Sequence, residues 1–481
     1  MWYSIREVNH RNFRKGSFST QANDPFFWAF RWETERKKGV FPMNLIYGIK
    51  DKPKFGQMLI FAFQQILAIL AATIAVPAII GNGMSQSAAL FGAGVGTLIY
   101  QLFTRFNSPV FLGSSFAFIG SMFAAFGGAA SAQAGFTGIL MGAIFAGLVY
   151  VVIAIIIKLV GVQWINKLMP AAVIGPTVAI IGLSLAGNAV GDLSIGKVST
   201  ASPYVCLICG LITLFSVVLV SVYGKKMAKL IPFIIGILIG YIAAAIFTVI
   251  GTLTNNPALL VIDFAAFSNM TLFAVPDFTF VKAFQGIKDI DATYIATVAV
   301  AYIPVAFVVF AEHLADHKNL SSIIGQDLTE KPGLHNTLLG DGIGSMFGAF
   351  FGGCPNTTYG ESVGCVAITG NASVITITTT AIMAMAISFF GPFVTFLASI
   401  PNCVMGGVCI TLYGFIACSG LKMIQKVDLN ENRNLFVVAI ILITGIGGLS
   451  VTFGKVTLTA VACALILGIL ANVLLSFKDK K

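Results

Sequence analysis

The segment Pro355-Asn-Thr-Thr-Tyr-Gly-Glu-Ser-Val-Gly364 places an acidic residue, Glu361, between two hydrophobic stretches of the chain. A second acidic residue, Glu312, directly follows the apolar run Tyr302-Ile-Pro-Val-Ala-Phe-Val-Val-Phe-Ala311. An ionised carboxylate is costly to place in a bilayer, so such residues usually face a polar cavity and mark the route of a substrate or a proton. These two carboxylates are therefore the first candidates for a functional site.

The rest of the chain has the composition of an all-α polytopic membrane protein. Of its 481 residues, 57% are hydrophobic and 10% are charged, whereas soluble domains carry about 25% charged residues. Apolar runs of the roughly 17–25 residues that a bilayer-spanning helix needs recur after residue 56. They predict fourteen spans, or twelve to thirteen if neighbouring runs share a span, near residues 57–80, 86–103, 109–125, 133–157, 169–188, 203–222, 229–252, 293–316, 336–352, 355–369, 371–399, 401–420, 434–453 and 457–477.

The net charge of +10 reports topology rather than a nucleic-acid partner. With an even number of spans, 25 of the 29 lysines and arginines fall on the side that holds both termini. The opposite side keeps only Lys197, Lys282, Lys288 and Lys455. This asymmetry follows the positive-inside rule and predicts a multi-pass protein of the cytoplasmic membrane, embedded in lipid, with both termini in the cytoplasm.

The first 42 residues are polar, charged and aromatic and contain no cleavable apolar core, so they are not a signal peptide. We expect residues 1–42 to be either a disordered tail or an upstream extension of the reading frame. The eight cysteines form no metal-binding or disulfide pattern, and the pair Cys206 and Cys209 lies within an apolar run. We therefore expect no metal site.

Three segments of the first half recur in the second half in the same order, which indicates an internal repeat. The pairs are Gly92-Ala-Gly-Val-Gly-Thr97 with Gly340-Asp-Gly-Ile-Gly-Ser345, Gly113-Ser-Ser-Phe-Ala-Phe118 with Asn356-Thr-Thr-Tyr-Gly-Glu361, and Met169-Pro-Ala-Ala-Val-Ile-Gly175 with Ile400-Pro-Asn-Cys-Val-Met-Gly406. They relate spans seven apart, and an odd shift puts the two halves in opposite orientations. This predicts a 7+7 inverted repeat of the kind found in secondary transporters.

The repeat divides the chain into a first half at residues 43–252, an extracytoplasmic connection at 253–292 and a second half at 293–481. The third and tenth spans are too short and irregular for full helical crossings, and we expect Gly113-Ser-Ser-Phe116 and Asn356-Thr-Thr-Tyr359 to be short extended segments. Irregular backbone at membrane depth is tolerated where it lines a cavity or is buried in protein. These segments are therefore either part of a binding site or structural kinks without a ligand.

Two longer stretches carry a resemblance to a known family. The stretches Glu312-His-Leu-Ala-Asp-His-Lys-Asn-Leu320 and Cys354-Pro-Asn-Thr-Thr-Tyr-Gly-Glu-Ser-Val-Gly364 resemble the uracil permeases of the nucleobase–ascorbate transporter (nucleobase:cation symporter-2) family. Three positions depart from the family pattern: Ser362 stands where Asn is usual, Gln65 where many members have His, and Asp316 where some members have His.

The resemblance implies fourteen spans divided into a core domain and a gate domain, with the substrate between the third, eighth and tenth spans. It implies that Glu312 and Glu361 accept the ring N–H groups of the substrate, while backbone N–H groups near Phe116 and at Gly360 and Glu361 donate to its carbonyl oxygens. Phe116 and Tyr359 would supply apolar walls, and Tyr413 a contact from the gate domain. Relatives also imply a homodimer through the gate domains.

The predicted function is the import of uracil by proton symport, with Glu312, His313 and Asp316 as the proton-coupling groups. We expect no cofactor other than the coupling proton and no enzymatic activity, because the sequence has no metal cluster or nucleophile motif. It also lacks the GxxxxGK[ST] phosphate loop of an ATP-driven protein. The alternative within the family is a purine or xanthine permease. An anion transporter would need a cation or a bare helix dipole at the site rather than two carboxylates.

Overall fold

The computed structural model describes residues 45–161, 163–225, 227–268, 270–453 and 456–476. Residues 1–42, for which we expected a disordered tail or a reading-frame extension, lie outside the described residues. The described part is mostly helical, as the composition predicted.

Within the ranges just given, the first half contains ten α-helices and one short strand. They are α1 (Phe55–Ile80), α2 (Gln86–Phe103), β1 (Leu112–Ser114), α3 (Ile119–Gly127), α4 (Ala132–Val160), α5 (Gln163–Leu168), α6 (Ala171–Ser184), α7 (Ala186–Asp192), α8 (Pro203–Tyr223), α9 (Met227–Leu230) and α10 (Pro232–Leu253). A 3-10 turn at Phe116–Phe118 joins β1 to α3.

An irregular connection with one short helix, α11 (Thr279–Gly286), precedes the second half. The described elements of the second half are α12 (Ala292–Ile324), α13 (Leu334–Gly352), β2 (Asn356–Thr358), α14 (Gly360–Thr369), α15 (Val374–Ile387), α16 (Gly391–Ser399), α17 (Asn402–Ile424), α18 (Asn432–Ile446), β3 (Val451–Phe453), β4 (Val456–Leu458) and α19 (Ala460–Ser476).

Seven helical stretches within the described ranges are long and apolar enough to cross a membrane. They are Phe55–Ile80, Ala132–Val160, Ala171–Asp192, Pro203–Tyr223, Pro232–Leu253, Ala292–Ile324 and Asn402–Ile424. Shorter apolar helices lie in other predicted runs, but they are too short to count as spans by length alone. The count of fourteen spans therefore stays a prediction.

Several predicted runs differ from the helices observed, and two of them show the cause. The run at 371–399 is two helices, because the chain leaves α15 and restarts at Gly391 with Pro392 in the first turn of α16, a position that proline favours. The run at 293–316 continues as α12 to Ile324. Its last two turns carry polar and charged side chains, which an apolar window leaves out.

Side-chain caps define where several helices begin. Ser85 accepts a hydrogen bond from the N–H of Ala88 at the start of α2, and Ser131 accepts one from Ala134 at the start of α4. Asp291 accepts one from Tyr294 at the start of α12. Such caps satisfy N–H groups that have no partner within the helix.

The helices pack as two sets. In the first set, α13 packs on α2 and α4, and α12 packs on α4, with α1 and α15 alongside. In the second set, α17 packs on α6 and α8, α10 packs on α8, and α18 and α19 pack on α6. The segments that the predicted repeat relates to each other therefore lie side by side. The helix α2 lies against α13, β1 pairs with β2, and α6 lies against α17.

Glycines allow the closest of these helix contacts. A Cβ on Gly92 of α2 would lie 2.3 Å from the carbonyl oxygen of Gly348 in α13, and one on Gly420 of α17 would lie 2.3 Å from the backbone nitrogen of Ala179 in α6. Backbones approach this closely only where side chains are absent, as in membrane helix pairs generally.

Candidate functional site

The site is built around two short strands that pair antiparallel, although they come from opposite halves of the chain. Leu112 lies opposite Thr358, and Gly113 lies opposite Thr357. The pairing extends past the strand ends, since the N–H of Ser115 donates to the carbonyl of Pro355 over 2.9 Å. The predicted extended segment at Asn356–Tyr359 contains β2, whereas the one predicted at Gly113–Phe116 is strand only through Ser114 and turns into a 3-10 helix at Phe116. Each strand satisfies backbone groups of the other.

Tyr359, at the end of β2, locks the two strands together. Its hydroxyl donates to the carbonyl oxygen of Ser114 over 2.8 Å, and its N–H donates to the carbonyl of Phe111 over 3.2 Å. Its ring covers Gly113 so closely that a Cβ on that glycine would lie 2.4 Å from the ring. Gly113 is therefore required by the position of the Tyr359 ring.

The strand β2 leads directly into the N-terminus of α14, where Glu361 is the second residue. Tyr359 is the N-cap residue, and its side chain makes no capping hydrogen bond to α14. The first N–H groups of an α-helix have no partner within the helix and attract acceptor or anionic groups. Gly360 and Glu361 thus present backbone donors beside a carboxylate acceptor.

The helix α12 supplies two further carboxylates on one face. Glu312 and Asp316 are four residues apart, which places them one helical turn from each other on the same side. Asp316 accepts a hydrogen bond from the hydroxyl of Thr358 over 3.0 Å. The side chain of Asp316 is therefore anchored to β2.

A cavity of about 210 Å³ lies where these elements meet the second set of helices. Among the predicted site residues, it is lined by Phe116, Glu312, Asp316, Tyr359, Gly360 and Glu361. Its opposite wall comes from α6 and α17 and includes Ile174, Val178, Ile416, Ser419 and Met423. One wall is thus acidic and rich in backbone donors, and the other is mainly aliphatic.

Two predicted site residues lie outside this lining. Tyr413 is 2% exposed, and its ring meets the ring of Phe116 edge-on with 6.2 Å between the ring centres. Tyr413 thus contacts the cavity wall rather than the cavity. His313 is fully buried and points away from the cavity.

His313 belongs to a buried polar cluster behind β2. Its Nδ1 lies 2.7 Å from a carboxylate oxygen of Asp341, and its Nε2 lies 3.0 Å from the hydroxyl of Thr337. The same Asp341 oxygen accepts a hydrogen bond from Thr357 over 3.3 Å. Asp341 therefore joins α12 and α13 to the strand that leads to Glu361.

A second histidine extends this cluster along α12. The ring of His317 stacks on that of His313 with 4.0 Å between their centres. Its Nε2 lies 2.7 Å from the hydroxyl of Tyr100, which in turn donates to Ser108 over 2.7 Å. The cluster thus continues from α12 onto α2.

Sequence reasoning missed both Asp341 and Ser115. Asp341 was seen only as part of the repeated Gly-x-Gly-x-Gly pattern, although a carboxylate inside an apolar run was a signal that should have singled it out. Ser115 is 2% exposed and lines the cavity, and its hydroxyl has no hydrogen-bond partner among the described residues. A buried hydroxyl facing a cavity without a partner is suited to a ligand.

Ser362 and Gln65, the two other residues that depart from the family pattern, contact each other behind the site. The hydroxyl of Ser362 accepts a hydrogen bond from the N–H of Phe111 over 3.1 Å. The side-chain amide of Gln65 donates to the carbonyl of Ser362 over 3.4 Å. Ser362 is fully buried, so its side chain holds the start of α14 against the chain entering β1. No group of three or more potential metal ligands occurs within the ranges that the structure describes.

Comparison with known proteins gives the family. A model of the permease family Xan_ur_permease matches residues 56–454. The chain belongs to this family, the nucleobase:cation symporter-2 permeases. The match covers every element of the cavity and confirms the resemblance that the motifs carry.

Curated relatives of this permease cover nearly its whole length. The chain is 38% identical over 433 residues to a uracil permease of Bacillus caldolyticus, an alignment that covers 89% of this chain and 94% of the relative. It is 36% identical over 436 residues to a uracil permease of Bacillus subtilis (strain 168), covering 89% and 94%. Membership of a permease family and the apolar helices make the chain a multi-pass membrane protein.

Solved structures share the fold at low sequence identity. The transmembrane domain of a cyanobacterium bicarbonate transporter, BicA, superposes with a TM-score of 0.61 at 16% identity, covering 88% of this chain and all of that domain. At this identity the likeness concerns the fold alone, and that fold is found in a transporter.

Proposed function

We propose that this permease imports uracil across the cytoplasmic membrane by proton symport. The observation that carries the proposal is one cavity that presents the carboxylates of Glu312 and Glu361 together with the N-terminus of α14. The uracil permeases among its relatives support the choice of substrate.

The cavity offers the groups that a uracil ring requires. Uracil alternates N–H donors with carbonyl acceptors around a small planar ring. Ionised carboxylates accept but do not donate, so Glu312 and Glu361 suit the ring N–H groups. The backbone N–H groups at Gly360 and Glu361 suit a ring carbonyl, and the hydroxyl of Ser115 can pair with either kind of group.

Aromatic rings complete the acidic side of the site. Phe116 and Tyr359 both line the cavity, and aromatic faces stack on planar rings at little conformational cost. Tyr413 supports Phe116 from the second helix set through the edge-on contact described above. This contact makes the ring position of Phe116 dependent on α17, which would link substrate binding to the relative position of the two helix sets.

Proton coupling is assigned to Glu312 and Asp316, with His313 behind them. Two ionised carboxylates one helical turn apart repel each other, more strongly in a cavity than in water. A proton bound to either acid removes this repulsion and lowers the free-energy cost of moving the binding site from one side of the membrane to the other. His313 would act indirectly, because its ring is hydrogen-bonded to Asp341 and not exposed to the cavity.

The proposed architecture follows the repeat. It has fourteen spans in two inverted halves, at residues 43–252 and 293–481, joined by an extracytoplasmic connection at 253–292. The helix set of α2, α4, α12 and α13 would be the core domain, and that of α6, α8, α10 and α17 the gate domain. Both termini would lie in the cytoplasm, and a homodimer would form through the gate domains.

Uptake by proteoliposomes tests the function. Radiolabelled uracil should accumulate when the interior is alkaline relative to the bath, and a protonophore should abolish the accumulation. Excess xanthine should compete weakly, in contrast to a purine or xanthine permease. Accumulation that depends on sodium and ignores the proton gradient would refute the coupling, and transport of xanthine in preference to uracil would refute the substrate.

Variants of the two glutamates test the site. Glu361→Ala and Glu312→Ala should each weaken uracil binding by roughly tenfold to a hundredfold, because a hydrogen bond to a charged group contributes ~1.5–3 kcal/mol. Glu330→Ala, at an exposed position between α12 and α13, is the matched control and should bind as the wild type does. Near-normal uracil binding in both site variants would refute the assignment.

A further inference from the structure

The acidic wall of the cavity does not distinguish uracil from a larger base that contains the same ring. Xanthine carries the two-carbonyl ring of uracil fused to an imidazole across the positions of uracil's C5 and C6. The edge of alternating N–H and C=O groups that Glu312, Glu361 and the α14 N-terminus recognise is therefore present in both bases. Discrimination by size has to come from the wall that faces C5 and C6.

The opposite wall consists largely of β-branched side chains. Ile174 and Val178 project from successive turns of α6, and Ile416 projects from α17. β-branched residues have restricted χ1 angles, so these three cannot swing aside as a methionine would. Met423, also on this wall, is the flexible exception.

The backbone that carries these side chains cannot move away from the cavity. A Cβ on Gly175, between Ile174 and Val178, would lie 3.1 Å from the backbone nitrogen of Ile424 in α17. About two turns further along α6 and three turns back along α17, a Cβ on Gly182 would lie 2.4 Å from the carbonyl oxygen of Tyr413. The helices α6 and α17 are thus in direct backbone contact on both sides of the wall, and close-packed interiors transmit strain rather than absorb it.

On this basis, and resting on the proposed function, we infer that Ile174, Val178 and Ile416 form a rigid size filter against the C5–C6 edge of the base. The acidic wall selects the uracil-type edge, and the filter rejects substituents or a second ring on the far side. The ligand class admitted is then a monocyclic pyrimidine-dione with small groups at C5 and C6.

Competition binding with a graded series of ligands tests the filter. Purified protein is loaded with radiolabelled uracil, which is displaced by unlabelled uracil, 5-methyluracil, 5-ethyluracil and xanthine. The variants are Ile416→Ala and Val178→Ala. Their controls are Ile410→Ala on α17 and Val173→Ala on α6, which remove the same side chains at positions outside the cavity lining.

In the wild type, affinity should fall along the series as size increases. Ile416→Ala and Val178→Ala should raise the affinity for 5-ethyluracil and xanthine by at least about tenfold, since one methylene in a tight pocket changes discrimination by roughly 10–200-fold. Uracil affinity should change much less, and the controls should exclude the large ligands as the wild type does.

The outcomes separate the filter from the proposed function. If uracil binds normally and both cavity variants still exclude the two large ligands, the filter is refuted while the function stands. If the control variants admit the large ligands equally well, the effect is general loosening and the filter is refuted. If the wild type fails to bind uracil, the proposed function is overturned and the filter with it.

Discussion

Replacing Asp341 with alanine removes the acceptor that holds three elements together behind the cavity. The carboxylate accepts from Thr357 over 3.3 Å and is paired with Nδ1 of His313 over 2.7 Å. A hydrogen bond to a charged group contributes ~1.5–3 kcal/mol and a neutral one ~0.5–1.5 kcal/mol. We therefore expect a loss of about 3 kcal/mol.

The assay is thermal unfolding of the detergent-solubilised protein, combined with uracil binding. The loss should lower Tm by roughly 3 °C, because an unfolding entropy of ~2.1 cal/mol/K per residue amounts to ~1 kcal/mol/K over the 481 residues. Asp341→Asn should lose less, because an amide oxygen can still accept from His313. Uracil binding should weaken as well, because β2 leads directly into Gly360 and Glu361.

A double-mutant cycle isolates the pair itself. His313→Ala and the double variant are measured beside Asp341→Ala, and the two single losses should exceed the loss in the double variant when summed. Asp428→Ala, at an exposed carboxylate that caps a turn through Asn430, is the control for a generic effect of removing an aspartate. Strict additivity, or a Tm for Asp341→Ala equal to that of the control, would refute the reasoning.

Two further substitutions probe the scaffold of the site. Gly92→Ala puts a Cβ 2.3 Å from the carbonyl oxygen of Gly348, so we expect it to lower the free energy of unfolding by ~1–3 kcal/mol through overpacking. The control is Gly187→Ala, whose Cβ meets no atom within 4 Å. Equal Tm values for the two variants would contradict the close contact at Gly92. Ser362→Ala leaves the N–H of Phe111 without its acceptor and should lower the free energy of unfolding by ~1–3 kcal/mol. Thermal unfolding is compared with that of Ser322→Ala, on the exposed end of α12. Unchanged stability and uracil affinity would show that this hydrogen bond does not hold α14 in place.

The sequence predicted the helices well where a long apolar run coincides with a whole helix. The run at 203–222 is α8 and the run at 86–103 is α2. Predictions were less exact where polar residues continue a helix, as in α12. Beyond residue 316, His317 faces the polar cluster while Lys318 and Asn319 are exposed, so polar side chains extend the helix past the apolar run.

The placement of His313 could have been predicted from helix geometry alone. Consecutive residues of an α-helix point about 100° apart, whereas residues four apart share a face. Glu312 and Asp316 therefore form one pair, and His313 and His317 form another that faces away from the cavity. The three proton-coupling candidates were grouped because they are close in sequence, and the helix separates them.

The aliphatic wall could not be predicted from residue patterns. Ile174, Val178 and Ile416 lie in apolar runs in which nearly every residue is hydrophobic, so no periodicity separates a cavity-facing side chain from one that faces lipid. Their role depends on how α6 and α17 cross, which is set by tertiary packing at Gly175, Gly182 and Gly420.

The pairing of β1 with β2 has a consequence for how the protein is made. Leu112 pairs with Thr358, so the first strand emerges from the ribosome long before its partner exists. Until then its backbone N–H and C=O groups lack the hydrogen bonds that a low-dielectric surrounding demands. The backbone of β1 therefore needs other hydrogen-bond partners until β2 has been made, and we expect a chain truncated before residue 356 to be less stable in the membrane than the full chain.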